Sequence, residues 1–206
     1  AQSAGVAAVL VNTTGSAAAT VNASGYSTAI TIDASAATTS GTMTLTGGSA
    51  GDAFHFAGTN LSTGDVITGG SGDDSIVLEN GTGTGTAVSV ALGSGVTGIE
   101  SITVTDQNTG SSGDVAISLA AAFGGTGQTT ISIDGSSLDT GETLSVTNSS
   151  TADVGTGAGT QYLTIDVTGG LASDTISGGS GVDTIDGGSG NDLITGGIGA
   201  DLLSGG

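Results

Sequence analysis

From Gly169 to Gly206 the chain repeats with a period of nine. Gly pairs stand at Gly169-Gly170, Gly178-Gly179, Gly187-Gly188, Gly196-Gly197 and Gly205-Gly206. Asp174, Asp183, Asp192 and Asp201 hold the sixth place of each copy, and Ile176, Ile185, Ile194 and Leu203 the eighth. Each residue type has its own task. Glycine permits positive φ and close backbone approach in a tight turn. The eighth residue points inward from a very short strand, while neighbours such as Thr175, Ser177, Thr184 and Thr195 point out. Parallel stacking then brings the sixth-place carboxylates into register, which is repulsive unless a cation lies between them.

The rest of the composition agrees with thin, turn-rich architecture. Of 206 residues 41 are Gly, and Pro, Cys and Trp are absent, so a thick core of interlocking large side chains is excluded. Ala, Val, Ile and Leu fall in short alternating runs between Gly, Ser, Thr and Asn clusters, the pattern of strands separated by turns. The fold class is all-β. Lys plus Arg is 0 against 19 Asp and Glu, which excludes nucleic acid and anionic membranes as partners, since both are engaged through basic side chains. The missing positive charge has to come from solution, and a divalent cation is its natural source. No apolar run is long enough to span a bilayer. The chain begins and ends mid-pattern and reads as a segment of something longer.

The terminal stretch resembles the RTX (repeats-in-toxin) nonapeptide family, whose G-G-x-G-x-D-x-U-x pattern builds a calcium-filled parallel β-roll. Copies 178–186 and 187–195 match every specified position; the copy from Gly169 has Ala172 in place of the third glycine. The resemblance implies Ca2+ bound between turns eighteen residues apart. Carried onto this chain, one ion takes Asp183 and the carbonyls of Gly179 and Gly181 with Asp201 and those of Gly196 and Ile198. A second takes Asp174, Gly170 and Ala172 with Asp192, Gly187 and Ser189.

Weaker copies occur upstream, at 47–55 and 60–77. "GGSAGDAFH" has Asp52 in the sixth place and Ala50 for a glycine; "GGSGDDSIV" matches fully with Asp74; nine residues earlier Asp65 precedes Ile67 without a Gly pair. Calcium is expected at Asp52, Asp65 and Asp74. Longer duplications link Ile30 with Ile131, Met43 with Leu144 and Asp52 with Asp153, and a second pairing links "GTNLSTGDVIT" from Gly58 with "GSSLDTGETLS" from Gly135. The expected architecture is a right-handed parallel β-solenoid, irregular over 1–168 and ending in a calcium-bound RTX β-roll over 169–206, with roughly 20 residues per coil and a length on the order of 50 Å.

As a whole the chain resembles the lattice-forming region of type I-secreted surface-layer proteins of Gram-negative bacteria, through its Thr/Ser/Ala/Gly-rich strands, scattered RTX copies and phrases such as "GVTGIESITVT" from Gly95. That resemblance implies export to the cell surface, calcium-driven folding and assembly with copies of itself. Cell-surface polysaccharide is a further candidate partner. The alternatives are a calcium-dependent adhesin or stalk module, and the RTX domain of a larger secreted hydrolase or toxin. Catalysis is not expected. Ser49 satisfies G-x-S-x-G, but its frame is that of the nonapeptide. "GSGVTG" from Gly93 is followed by a strand pattern rather than a phosphate-binding helix. His55 stands outward between Phe54 and Phe56, and the Asp106–Asp114 loop reads as solvated.

Overall fold

The computed structural model describes residues 8–39, 41–58, 60–80, 87–107, 113–121, 123–124, 127–150 and 161–206. Asp153 and most of the Asp106–Asp114 loop lie outside them. The described residues form strands and turns without a helix, and no helix is long and apolar enough to cross a membrane.

The chain passes repeatedly between stacked sheets, and one pass is called a rung below. The first rungs comprise β1 (Ala8–Leu10), β2 (Thr14–Gly15) and β3 (Ala19–Asn22), then β4 (Thr31–Asp33), β5 (Thr38–Thr39) and β6 (Met43–Thr46). Next come β7 (Ala53–Ala57) with β8 (Val66–Thr68), and β9 (Ser75–Asn80) with β10 (Val88–Leu92) and β11 (Val96–Thr97). β12 (Ser101–Asp106) with β13 (Val115–Leu119) and β14 (Thr130–Asp134) with β15 (Leu144–Asn148) follow. The last are β16 (Thr164–Thr168) with β17 (Thr175–Ser180), β18 (Thr184–Asp186) with β19 (Leu193–Ile198), and β20 (Leu202–Ser204).

Among the described residues one nine-stranded sheet, in the order β1-β4-β7-β9-β12-β14-β16-β18-β20, runs the length of the molecule. The other strands form a four-stranded sheet (β11-β8-β6-β3), a five-stranded one (β10-β13-β15-β17-β19) and a two-stranded one (β2-β5). All pairings are parallel, for example Thr184 against Leu202 and Ile176 against Ile194.

Period-two alternation puts one row of apolar side chains inside each strand, and parallel register aligns these rows into columns. On the long sheet the column is Val9, Ile32, Phe54, Ile76, Ile102, Ile133, Val167, Ile185 and Leu203. On the five-stranded sheet it is Val90, Ile117, Val146, Ile176 and Ile194. From Ile32 to Ile185 the first column is almost fully buried. Burying each such side chain contributes about 1.5–3 kcal/mol, and this thin core is the main stabilising element.

Leu203 keeps its place in register with Ile185 and is 47% exposed. Rung length varies along the chain, as the irregular repeat over 1–168 implies, and exceeds the expected roughly 20 residues over much of it. Equivalent residues are 18 apart at the C-terminal end, but 22 apart at Asp52 and Asp74, 26 at Asp74 and Glu100, and 30 at Leu144 and Asp174. Register constrains only the strands, and corner loops lengthen at small entropic cost. Nine stacked strands at about 4.8 Å span roughly 40 Å, shorter than the sequence-based figure.

Candidate metal centre

Two residues before each column residue lies a second stacked position. On the long sheet it is occupied by Ile30, Asp52, Asp74, Glu100, Ile131, Ile165, Asp183 and Asp201; on the five-stranded sheet by Val88, Val115, Leu144, Asp174 and Asp192. Carboxylates are thus gathered into two blocks with apolar residues between them. Nine residues make half of an 18-residue rung, so successive copies alternate between sheets: Asp183 and Asp201 stack on one, Asp174 and Asp192 on the other.

Each carboxylate makes the same bond to the preceding rung, accepting the N–H of the equivalent residue there. Ile165 donates to Asp183 Oδ1 at 2.8 Å and Asp183 to Asp201 Oδ1 at 3.0 Å. Leu144 donates to Asp174 Oδ1 at 2.7 Å and Asp174 to Asp192 Oδ1 at 2.8 Å. Upstream, Ile30 donates to Asp52 Oδ1 at 2.9 Å, Asp52 to Asp74 Oδ1 at 2.6 Å and Met43 to Asp65 Oδ1 at 2.7 Å.

The second carboxylate oxygen divides the turns into two classes. In the full-glycine turn from Gly178, Gly179 and Gly181 have φ of 90° and 148°, a region that L side chains rarely adopt. Gly178 is needed for space: a Cβ there would overlap both Asp183 Oδ2 and the Gly196 carbonyl oxygen. Asp183 Oδ2 is buried without a hydrogen-bond partner, as are Asp74 Oδ2 and Asp192 Oδ2 of the full-glycine turns from Gly69 and Gly187. Where alanine replaces the third glycine, at Ala50 and Ala172, the preceding Gly48 and Gly170 keep ordinary φ. Their N–H groups then donate to Asp52 Oδ2 and Asp174 Oδ2, the latter at 2.7 Å. Asp65 is satisfied differently, its Oδ2 accepting the Ser62 N–H at 2.7 Å and the Ser62 hydroxyl at 3.0 Å.

The unpartnered oxygens are electrostatically costly. Burial pushes Asp183 up to about 6 against the Ile165 N–H bond, with the Asp201 charge adding to the rise. Asp74 is likewise pushed up to about 6 by burial, opposed by the Asp52 N–H and reinforced by Asp52, Glu100 and Asp73. Asp174 is raised by burial despite N–H bonds from Leu144 and Gly170.

A hard cation fits this donor set. The Gly196 carbonyl lies beside Asp183 Oδ2 against Gly178, and the Gly187 carbonyl beside Asp174 Oδ2 against Gly169. The carbonyls of Gly179, Gly181 and Ala172 face Gly197, Gly199 and Gly190 of the next rung. Those of Gly170 and Ile198 accept the Ser189 and Gly181 N–H groups at 3.0 and 2.8 Å and retain a second lone pair each. Among the described residues no three acidic or His side chains converge, so carbonyls have to complete any shell, as calcium's six to eight oxygen ligands allow.

Two buried or half-buried acids escaped the sequence reading. Glu100 continues the Asp52–Asp74 column, its Oε2 accepting the Asp74 N–H at 2.7 Å. The signal was the pair D-S-I at Asp74 and E-S-I at Glu100. Glu142 is fully buried and is the counterpart of Asp65 in the Gly58/Gly135 duplication. In both, the acid's N–H donates to the carbonyl three residues back, Ser62 at 3.1 Å and Asp139 at 3.0 Å. Ser49 sits in a turn, its N–H donating to the Tyr26 carbonyl at 2.9 Å. His55 is half-buried between the buried Phe54 and Phe56, its Nδ1 3.8 Å from Glu79 Oε1.

Neither the curated proteins nor the solved structures contain a match to the chain. The RTX calcium-binding nonapeptide repeat matches residues 62–84 and 168–206, in 4 copies. These segments contain Asp74, Asp183 and Asp192, the three acids whose buried Oδ2 lacks a partner. The full-glycine turns thus lie within the segments that match the RTX calcium-binding nonapeptide repeat, and the ion such repeats bind is Ca2+.

Proposed function

We propose that the chain is a structural, calcium-dependent, self-assembling extracellular module, a surface-layer lattice or filament subunit exported by a Gram-negative bacterium, and that it works without catalysis. In this reading the 169–206 β-roll continues a right-handed β-solenoid, and calcium folds and joins the rungs. Asp183, Gly179 and Gly181 with Asp201, Gly196 and Ile198 hold one ion; Asp174, Gly170 and Ala172 with Asp192, Gly187 and Ser189 hold another. Asp52 and Asp74 belong to an upstream site, while Asp65, with both oxygens hydrogen-bonded, contributes only if those bonds are exchanged.

The observation that carries self-assembly is an apolar face on the C-terminal repeats. Their outward positions hold Val182, Leu193, Ile198 and Leu202, 58%, 64%, 72% and 68% exposed. A calcium titration followed by β signal and light scattering tests the reading. Folding should come first and scattering at higher calcium, since neighbouring copies carry net negative charge to be bridged. A protein that folds fully and remains monomeric at millimolar calcium overturns self-assembly.

A groove of about 500 Å³ lined by Tyr162, Gln161, Thr129, Thr130, Val182 and Ile198 favours a second reading, an adhesin that binds surface polysaccharide. Saccharide binding by a calcium-loaded monomer is its distinguishing result.

A further inference from the structure

The upstream RTX match ends at residue 84, yet Asp74 needs oxygen donors from the rung that follows it. That rung enters through "VTGIESI", with no Gly pair and no Asp. Two of its contacts nevertheless match the C-terminal arrangement. A Cβ at Gly69 would overlap both Asp74 Oδ2 and the Gly98 carbonyl oxygen, as one at Gly178 would meet Asp183 Oδ2 and the Gly196 carbonyl. Glu100 Oε2 accepts the Asp74 N–H at 2.7 Å, as Asp201 Oδ1 accepts that of Asp183 at 3.0 Å. Gly98 and Glu100 therefore stand where Gly196 and Asp201 stand. The turn between them is three residues shorter than the nonapeptide's, and the extra methylene of Glu restores the reach.

We propose that Glu100 and the Gly98 carbonyl complete a calcium site with Asp74, closed by a rung that carries no nonapeptide. The independent pointer to a ligand is Asp74 Oδ2, buried and without a hydrogen-bond partner, on the side where the Gly98 carbonyl lies. Glu100 spends Oε2 on the Asp74 N–H, which leaves its other carboxylate oxygen for a cation. All donors are oxygens and the chain has no Lys or Arg to neutralise them, so a divalent hard cation is the ligand class. The inference rests on the reading of unpartnered carboxylate oxygens as calcium ligands.

Equilibrium dialysis with radioactive calcium, on the whole chain, counts bound ions for Glu100→Gln, Glu100→Asp, Asp74→Asn and Asp183→Asn. Glu100→Gln keeps an acceptor for the Asp74 N–H, and β signal at saturating calcium confirms folding. Glu100→Gln and Asp74→Asn should each lose one ion or weaken it about ten-fold or more, because calcium affinity follows ligand charge, and the double variant should lose no further ion. Glu100→Asp should also weaken it, being too short to reach. If Asp183→Asn loses an ion and Glu100→Gln keeps the full count and affinity, the proposed site is wrong and the underlying reading stands. If no variant loses an ion, the underlying reading fails and takes this site with it.

Discussion

The backbone N–H of Asp183 donates to Oδ1 of Asp201, 3.0 Å away and 18 residues further along. One carboxylate oxygen thus fastens two rungs through a hydrogen bond that needs no metal, which leaves the other oxygen to do the metal's work. Asp183 shows both roles, since its Oδ1 accepts the Ile165 N–H and its Oδ2 has no partner.

Asp183→Asn should consequently have opposite effects with and without calcium. In saturating calcium it removes ligand charge, and loss of one ion held at 100 times its dissociation constant costs about 2.7 kcal/mol. In calcium-free buffer near pH 7.5 it should be neutral or stabilising, because a buried carboxylate with a raised pKa is replaced by an uncharged amide. Asp186→Ala is the control: Asp186 is exposed and its carboxylate accepts the Gly188 N–H at 3.2 Å, so a change within about 0.5 kcal/mol is expected in both buffers. Denaturant melts of both variants decide, and equal shifts would show that the nine-residue frame is misassigned.

Protons should imitate calcium, imperfectly. Unfolded Asp carboxyls titrate near 3.8, whereas Asp74 and Asp183 are held up to about 6 in the fold. Between these values the folded chain binds more protons than the unfolded one, so stability of the calcium-free fold is highest below about 4, falls as pH rises to about 6, and is level above. Thermal unfolding of calcium-stripped protein should therefore give a higher midpoint at pH 5 than at pH 7.5. With calcium present the order reverses, because protons compete for the same oxygens. A flat profile in the stripped protein would remove the burial account of these acids.

How much of this was legible follows from what the period encodes. Four copies of a nine-residue unit specify the stacking of Asp174 on Asp192 and of Asp183 on Asp201, and the buried places of Ile176 and Ile185. Glu100 was not legible by that rule, because its turn lacks the Gly pair and is three residues shorter; only its place two residues before Ile102 betrays it. Asp65 was read as a calcium residue from its nine-residue distance to Asp74; it precedes β8 of the four-stranded sheet, where Ser62 occupies its second oxygen, a bond that the period does not encode. Rung lengths from 22 residues at Asp52 and Asp74 to 34 at Ile131 and Ile165 were hidden because corner loops carry no register.

Ala172→Gly should convert one class of turn into the other. At present the Gly170 N–H occupies Asp174 Oδ2 at 2.7 Å and the turn has no positive φ at Gly170. Glycine at 172 allows the geometry of the Gly178 turn, which frees that oxygen. The calcium-free fold should lose about 0.4–1 kcal/mol through the extra freedom of the unfolded chain. Calcium should bind the Asp174–Asp192 site more tightly. Calorimetric titration showing unchanged affinity would mean that the third glycine does not select the turn's class.

Assembly should be separable from folding by altering outward side chains alone. Ile198 and Leu202 are 72% and 68% exposed and sit at the third and seventh places of the last copy, away from the Ile185–Leu203 column and from the carboxylate oxygens. Thr at either position keeps β propensity while removing apolar area from the face. Ile198→Thr/Leu202→Thr should leave the calcium midpoint of the β signal in place and move the onset of scattering to higher calcium or abolish it. Asp186→Ala, which changes a nearby charge without changing apolar area, should leave the onset where it was or lower it. If the double variant scatters like the parent protein, the C-terminal face is not the contact, and assembly has to be sought on the Thr and Ser rows of the sheet walls instead.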